Sequence, residues 1–195
     1  MKQQSFLFLA HGFEEIEALT AVDVLRRADI PVKTVSITES LQVTGAHGIT
    51  VKADVLFDNT LFDNPAWLIL PGGLPGAENL YNFAPLQGLL EREANNPKGR
   101  IAAICAAPAV VLGQLGLLKG CKATCYPGFE DKLTGAVYED SPVVVDGKFI
   151  TGNGPASALA WAMAIVENTT DARRAEQVAA GMLFYPEHPR IVDFG

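Results

Sequence analysis

Short apolar runs alternate along the chain with longer segments of helical periodicity, and this alternation restricts the fold more than any other feature. Residues 5–10 form a continuous apolar run, which predicts a buried strand. A helix is predicted over residues 14–28, opened by acidic side chains and closed by Arg26 and Arg27, so that each charge suits the helix dipole. Strands that alternate with helices imply right-handed crossovers and a mostly parallel sheet covered on both faces. The sequence therefore predicts an α/β fold.

The same signals continue to the end of the chain. Further strands are predicted over residues 32–37, 49–51, 67–70, 101–104, 122–125, 143–145 and 148–151. Further helices are predicted from residue 77, over 85–95, from 106 to between 113 and 116, over 155–167 and over 171–183. In the first helix, the apolar face is predicted to consist of Ile16, Leu19, Val22, Val24 and Leu25. Asp146-Gly147, between the last two strands, is a favoured hairpin turn.

The composition bounds the size of the fold and the kinds of partner. Hydrophobic residues are 49% and charged residues 19% of the 195 residues, which is enough to bury a continuous core, so we expect one domain over residues 1–195. The net charge of -7 argues against nucleic acid, because phosphate binding needs clustered Lys and Arg. No run approaches the roughly 18 to 20 apolar residues that cross a bilayer, so no membrane contact is expected.

The three cysteines indicate a reducing compartment. Cys105, Cys121 and Cys125 are odd in number and lack C-x-x-C spacing. The first residues lead into an apolar run that is too short for a secretion signal with its cleavage site. We therefore expect a cytoplasmic protein. No histidine pair accompanies the cysteines, so no metal site is predicted, and Cys121 and Cys125 are expected to be structural.

Cys105 ends a short apolar strand and precedes Ala106-Ala107-Pro108, where a helix is predicted to begin. A strand-to-helix junction of this kind can hold one sulfur in a strained turn, with its thiolate facing the positive end of a helix dipole. The alternative is a buried, inert cysteine, which is the commoner role of a free thiol. The junction alone does not decide between these roles, but the acidic cluster of Glu14, Glu15 and Glu17 and a glycine turn elsewhere in the chain favour Cys105 as the nucleophile.

A glycine turn follows the buried strand over residues 67–70. Gly72 and Gly73 let backbone amides approach a ligand closely, and the amide of Ala106 is a second candidate donor to a developing oxyanion. The alternative is a tight turn that needs a positive φ, and both can hold at once. His11 also follows a predicted strand. Ligands of open α/β sheets collect beyond the carboxyl ends of the strands, so these residues are expected to share one site.

The strand-end segments resemble the DJ-1/ThiJ/PfpI superfamily, and within it the DJ-1/YajL-like branch. The segments that carry the resemblance are Leu9 to Glu17, Leu70-Pro71-Gly72-Gly73, Ala102 to Pro108 and Thr151-Gly152-Asn153-Gly154-Pro155. The resemblance implies a flavodoxin-like three-layer sandwich with a mostly parallel central sheet, of the kind also found in class I glutamine amidotransferases. It further implies a homodimer, for which we expect the exposed apolar residues of the first helix and the loop near His47 to form the contact.

The resemblance also nominates Glu17 as the acid beside Cys105. A carboxyl buried beside a thiolate has a raised pKa, so Glu17 is expected to carry the proton that Cys105 loses, and the two should titrate as a coupled pair. For Glu14 and Glu15 we favour a simpler role, in which they complement the dipole of the first helix.

Three positions depart from the pattern of the superfamily. Many of its enzymes have a histidine directly after the reactive cysteine, where this chain has Ala106, so a Cys-His peptidase is not expected. Tyr126 stands before Pro127 where DJ-1-like members have a histidine, which leaves proton transfer to Glu17. His47 stands where relatives often have an arginine, which would make anion stabilisation at Cys105 depend on pH. His47 and Tyr126 are therefore accessory candidates. His11 is a third, because it lies in the loop before the acidic helix, near the expected mouth of the site.

Two classes of function fit these residues. The first is a cofactor-independent enzyme that acts on small aldehydes or glycated amines, of the glyoxalase III or deglycase type, and converts methylglyoxal to lactate. The second is a redox-responsive stress protein or chaperone in which Cys105 is oxidised to a stabilised sulfinate. Neither class needs a cofactor or a metal. No phosphate-binding loop supports a kinase in thiamine biosynthesis.

Overall fold

The computed structural model describes residues 3–184 of the chain. His188, to which the sequence assigns no role, lies outside the described residues. In chain order the elements are β1 (Ser5–Leu9), α1 (Glu15–Arg27), β2 (Val32–Ser36), β3 (Gln42–Thr44), β4 (Thr50–Lys52), β5 (Val55–Leu56), β6 (Leu68–Leu70), α2 (Gly76–Asn82), α3 (Ala84–Asn95), β7 (Ile101–Ile104), a π-helical segment (Pro108–Gly113), β8 (Lys122–Ala123), β9 (Val137–Tyr138), β10 (Val143–Asp146), β11 (Phe149–Gly152), α4 (Ala158–Thr169) and α5 (Ala172–Gly181). Short 3-10 turns lie at Asn59–Leu61, Glu130–Lys132 and Pro155–Ser157.

Seven strands form the central sheet, in the order β10-β11-β7-β6-β1-β2-β5. All neighbouring pairs are parallel except β10 with β11, which form an antiparallel hairpin at one edge. The hairpin turn predicted at Asp146-Gly147 is confirmed, because Asp146 pairs with Phe149 and Gly147 has a φ of +56°. The prediction of a mostly parallel, flavodoxin-like sheet is also confirmed.

Helices cover both faces of the sheet. α1, α4 and α5 pack against one another, and α2 packs against α3 and the π-helical segment. The central strands are buried along their whole length because both faces are covered: every residue of β1, β6 and β7 is buried. Among the described residues, no helix has both the length and the apolarity that a membrane span requires.

The order of the strands shows at which edge of the sheet a ligand crevice is expected. The chain moves outward from β1 to β2 and β5 on one side, and from β6 to β7 and β11 on the other. The connections after β1 and β6 therefore diverge, and a crevice opens between them at the carboxyl ends of the strands. His11, Gly72 and Cys105 all follow strands at this end.

Several sequence predictions need correction. The short exposed strand predicted over residues 49–51 is present as β4, shifted by one residue, and pairs with β3 in a separate hairpin. The strand predicted over residues 122–125 shortens to β8, which pairs with β9 outside the main sheet. The edge strand β5 has only two residues and was not predicted.

The inward face of α1 also differs from the prediction. Val22, Val24 and Leu25 are buried as expected, but Ile16 is 57% and Leu19 43% exposed. The inward positions of the first turns are taken by Glu17, Ala18 and Ala21 instead. The predicted inward face contained only apolar residues, although this helix also buries Glu15 and Glu17.

Candidate active site

Cys105 directly follows β7 in a strained backbone conformation. Its φ is +63°, a value that residues other than glycine rarely adopt. Neighbouring strand ends hold this conformation, because the N–H of Cys105 donates to the carbonyl of Gly152 at 2.9 Å and its carbonyl accepts from the N–H of Tyr126 at 2.8 Å. The residue is 8% exposed. The side chain is thereby turned away from the strand and toward the crevice, which is the geometry expected of a nucleophile on a sharp turn.

Glu17 lies in the first turn of α1 and points inward to the same place. It is completely buried, and its Oε2 accepts the N–H of Gly72 at 2.7 Å. Its Oε1 is buried without a protein hydrogen-bond partner of good geometry among the described residues. The thiol of Cys105 is close enough to form a hydrogen bond that affects the Glu17 pKa. Because the amide occupies Oε2, Oε1 is the oxygen left to hold a proton toward the sulfur.

Both groups of this pair have raised pKa values. Burial raises the pKa of Glu17 to about 7, against the lowering effects of the Gly72 N–H and the Cys105 thiol. Burial and the charge of the neighbouring Glu17 carboxylate raise the pKa of Cys105 to about 12, while the N–H groups of Gly73 and Ala106 lower it. The raised pKa of Cys105 runs against the sequence prediction of a thiol that Glu17 and the helix dipole keep ionised at neutral pH.

The proton of the pair decides the state of the sulfur. Glu17 raises the Cys105 pKa only while it is an ionised acceptor. When Glu17 is protonated that repulsion disappears, and the carboxylic acid becomes a donor to the sulfur. A thiolate at Cys105 would therefore need the proton to rest on Glu17, and the interaction between the two groups is that of a coupled pair. The structure agrees with the raised pKa that the sequence analysis predicted for Glu17.

Backbone amides surround the sulfur, although not the full set that was predicted. The N–H groups of Gly73 and Ala106 point toward the Cys105 sulfur. The N–H of Gly72 donates to Glu17, so Gly72 is corrected from oxyanion donor to anchor of the acid. Gly72 must also be glycine, because a Cβ there would lie 2.6 Å from the Cβ of Cys105 and 2.9 Å from Oε2 of Glu17. Gly73 has a φ of +86°, the positive value that the turn interpretation requires.

Glu14 and Glu15 do more than face the helix dipole. Glu14 is the N-cap of α1, and its Oε2 accepts the N–H of Glu17 at 2.7 Å. Glu15 accepts the N–H groups of His47 and Ile49 on Oε1, and its Oε2 lies 2.8 Å from Nδ1 of His47. Hydrogen bonds to Glu15 raise the pKa of His47, which is exposed. The loop that carries His47 is thus fastened to the helix that carries Glu17.

Glu14, Glu15 and His47 have ligand atoms within 4.8 Å of one another, as a metal site would require. Direct pairing of His47 with Glu15 already accounts for their arrangement. His47 lies beside α1, and its contacts within the chain are to Glu15 and Glu14. Among the described residues it makes no hydrogen bond to Cys105.

His11 and Tyr126 occupy two sides of the crevice. Nδ1 of His11 accepts the N–H of Thr44 at 3.1 Å, so its ring holds the β3–β4 hairpin beside the loop after β1. Within the described part of the chain, His11 makes no hydrogen bond to Cys105 or Glu17. Tyr126 bonds to Cys105 through its backbone, and its side chain is 45% exposed. Its ring lies against Gly154, where an added Cβ would be 3.4 Å away.

Two glycines of the site were not assigned a role from the sequence. Gly152 receives the Cys105 N–H, and Gly154 leaves room for the Tyr126 ring. Both lie in the segment Thr151-Gly152-Asn153-Gly154-Pro155. The sequence analysis used this segment for the family resemblance but gave its glycines no role. Cys125 is buried and Cys121 half-buried, and burial raises the pKa of both thiols, that of Cys125 to about 12. Neither contributes to the crevice at Cys105.

Comparison with known sequences places this arrangement in a family. A sequence model described as the DJ-1/PfpI family matches residues 4–168, which is most of the chain. The chain belongs to the DJ-1/PfpI family. The match covers Glu17, the Gly72-Gly73 turn and Cys105 together, and it confirms the resemblance that the strand-end segments indicated.

Individual relatives in the DJ-1/PfpI family share the fold over nearly the whole chain. Protein DJ-1 homolog B of Arabidopsis thaliana is 39% identical over 183 residues, which are 91% of this chain and 41% of that protein. The chain therefore spans less than half the length of that relative. The structure of oxidised Toxoplasma gondii DJ-1 is 37% identical, with a TM-score of 0.89 and coverage of 93% of this chain and 98% of that one. Deglycase PH1704 of Pyrococcus horikoshii is 33% identical over 158 residues, 80% of this chain and 93% of that protein.

Proposed function

We propose that this DJ-1/PfpI protein is a cofactor-independent enzyme that uses Cys105 as nucleophile on small reactive carbonyls, in the manner of a glyoxalase or deglycase. The observation that carries the proposal is the pairing of a strained, nearly buried Cys105 with a fully buried Glu17 whose pKa is raised to about 7. A general acid or base works best when its pKa lies near the operating pH. The similarity to a protein named deglycase supports the same class of chemistry.

The reaction can be written with the groups present. The Cys105 thiolate adds to the aldehyde carbon of methylglyoxal, and the carbonyl electron pair moves to oxygen, which faces the N–H groups of Gly73 and Ala106. Glu17 gives its proton to that oxygen and forms the hemithioacetal. The Glu17 carboxylate then moves the C–H proton of the former aldehyde to the neighbouring carbon, while the hydroxyl proton passes to the ketone oxygen, which leaves a thioester. Water hydrolyses the thioester, so lactate departs and Cys105 is regenerated.

The same groups support a second function, that of a redox-responsive protein. A sulfinate on Cys105 would accept hydrogen bonds from the Gly73 and Ala106 N–H groups and from protonated Glu17, the contacts that the thiolate uses. A similar chain, the oxidised Toxoplasma gondii DJ-1, was solved in an oxidised form. In this function the protein acts through partners, as a stress-responsive factor or chaperone, and turnover of carbonyls is absent.

Turnover of methylglyoxal without glutathione distinguishes the two functions. We expect lactate from the wild type and a loss of at least about 100-fold in kcat/KM in Cys105→Ser and in Glu17→Gln, because each variant removes a reacting group. Cys121→Ser is the matched control and should retain activity, since Cys121 lies outside the crevice. An inactive wild type that gains two oxygen atoms on Cys105 alone after mild peroxide would reject the enzyme and favour the redox function.

A further inference from the structure

Apart from the start of α1, which carries Glu17, four segments that surround Cys105 contain no charged residue. They are residues 71–76, 105–107, 124–129 and 151–157, all of which the structure describes. Each of them touches the nucleophile: Gly73 and Ala106 face its sulfur, and Gly152 and Tyr126 bond to its backbone. The carboxylate or phosphate substituent of a substrate is commonly bound by Arg or Lys. These segments offer neither.

The charged residues beside these segments include carboxylates on α1 and Glu130, and the exposed His47 pairs with Glu15. Glu14 lies near enough to Glu17 to raise its pKa through their charges, and Glu15 is held by the loop of His47. Glu130 accepts the N–H of Gly128 in the loop that follows Tyr126. An anionic substrate would therefore meet repulsion on one side and no paired cation in these rim segments.

Two large apolar side chains project from these uncharged segments. Leu74 is 45% exposed and directly follows Gly73, and Tyr126 is 45% exposed and bonds to Cys105 through its backbone. The Tyr126 ring is fixed by contact with Gly154 and by an edge-on approach to the Phe129 ring, with centroids 6.4 Å apart. A rigid aromatic surface beside a nucleophile gains binding energy from an apolar or aromatic substituent of the substrate.

We propose that the site selects uncharged carbonyl substrates that carry an apolar or aromatic substituent, and that Tyr126 is the residue that sets this preference. The proposal rests on the proposed function, since it names the substrate class of the same site. In this proposal, the substituent next to the aldehyde carbon that bonds to sulfur packs against the Tyr126 ring. The preference therefore acts through the substituent and leaves proton transfer to Glu17.

Turnover of three glyoxals tests the proposal. We expect a higher kcat/KM for phenylglyoxal than for methylglyoxal, and a lower one for 4-carboxyphenylglyoxal, which differs from phenylglyoxal only in its charge. Tyr126→Ala should lower the ratio of phenylglyoxal to methylglyoxal about fivefold, the size of one aromatic contact. Tyr126→Phe should restore the ratio, and Tyr126→Arg should raise the relative rate on 4-carboxyphenylglyoxal. Val145→Ala, an exposed change on β10 away from the crevice, is the control.

Labelling of Cys105 gives a readout that does not depend on turnover. Iodoacetanilide, iodoacetamide and iodoacetate differ in an aromatic ring or a charge, and their rates at Cys105 are compared with their rates on free cysteine by peptide mass spectrometry. A preference for iodoacetanilide that falls in Tyr126→Ala, with discrimination against iodoacetate, supports the proposal. Rates in the proportions of free cysteine overturn it. A wild type without glyoxal turnover rejects the proposed function, whereas unchanged substrate and labelling ratios in Tyr126→Ala reject this inference alone.

Discussion

Glu17 is a carboxyl in a position that an apolar residue would normally fill. It lies on the inward face of α1 among alanines and valines, completely shielded from water, with Oε2 bonded to the N–H of Gly72 and Oε1 without a hydrogen-bond partner of good geometry among the described residues. Burying a carboxylate with so few partners is unfavourable, and the raised pKa is the result. The residue to which we assign the acid role therefore also weakens the fold when it ionises.

Because ionised Glu17 is unfavourable in the folded state, the stability of the protein should depend on pH through this one side chain. The folded state holds a proton on Glu17 up to about pH 7, whereas the unfolded chain releases it near the ordinary value of 4.5. Raising the pH across this interval therefore lowers the free energy of unfolding, by about 3 kcal/mol at about 1.4 kcal/mol per pKa unit. Glu17→Gln should lack this loss, so its stability relative to the wild type should increase between pH 4.5 and pH 8.

Chemical denaturation of both proteins at several pH values measures this difference. The comparison uses the change with pH and not the absolute stability, because the amide introduced by Glu17→Gln alters other contacts as well. Parallel curves for the two proteins would show that Glu17 ionises normally, and the coupled pair with Cys105 would then be wrong.

At the scale of the elements, the site is assembled from the ends of β1, β6, β7 and β11, together with the start of α1. The loop after β6 is the most tightly constrained of these, because Gly72 lies between Cys105 and Glu17 with no room for a side chain. A side chain at this position would collide with both the thiol residue and the acid. The loop thus sets the distance on which proton sharing depends.

Gly72→Ala should therefore separate the pair. A methyl group 2.6 Å from the Cβ of Cys105 must push the thiol or the strand end aside. Because displacements of about 1 Å at a reacting group cost about 100-fold in rate, we expect a loss of that order in kcat/KM for methylglyoxal. Steady-state kinetics, with circular dichroism to show that the fold is retained, provide the measurement.

Gly88→Ala is the matched control for this prediction. Gly88 lies in α3, and an added Cβ there meets nothing within 4 Å. The substitution should preserve activity and stabilise the protein by about 0.5 to 1 kcal/mol through helix propensity. Full activity of Gly72→Ala would contradict the close packing of the pair.

The sequence predicted the elements whose own residues show a clear hydrophobic pattern. It missed the short strands that form only through hydrogen bonds to a neighbouring strand. β1, α1, β7 and the β10–β11 hairpin follow from apolar runs and turn residues in their own segments. β3 and β5 have only three and two residues, and they exist because a neighbouring strand supplies hydrogen bonds. Such short strands carry no periodic signal. The exposure of Ile16 was missed because α1 gives inward positions to Glu17 and alanines.

The site was predictable to the same degree. The sequence alone indicated Cys105 and the glycine turn, since both punctuate apolar strands, whereas Glu17 came from the family resemblance. The use of the Gly72 amide by Glu17 could not be predicted, because it depends on a contact between residues 55 positions apart. The raised pKa of Cys105 likewise follows from burial, which the sequence does not report.

At the scale of the whole molecule, the exposed apolar side chains of α1 remain to be explained. Ile16, Leu19 and nearby Ile49 are each more than 40% exposed, on the helix and the loop that carry the acid and its neighbours. Apolar side chains gathered on one surface mark an interaction site in many proteins. We expect this surface to form the contact of a homodimer.

Sedimentation at micromolar concentration tests the expected dimer. The wild type should sediment at twice the 20.8 kDa mass of the chain, and Leu19→Glu should shift it to the monomer, because a carboxylate would be buried without a partner at the contact. Val145→Glu introduces the same group on the exposed face of the edge strand β10 and should leave the dimer intact. A monomeric wild type would reject the dimer.

The backbone at the nucleophile is tied on both sides, by the carbonyl of Gly152 and by the N–H of Tyr126. A loop-borne thiol can swing outward with whatever is attached to it, but this one is fixed in place. A group bound to the sulfur can depart only when its own bond to sulfur is cut. Any attachment to this sulfur that water or a second thiol cannot cleave would therefore block the proposed chemistry of Cys105 permanently.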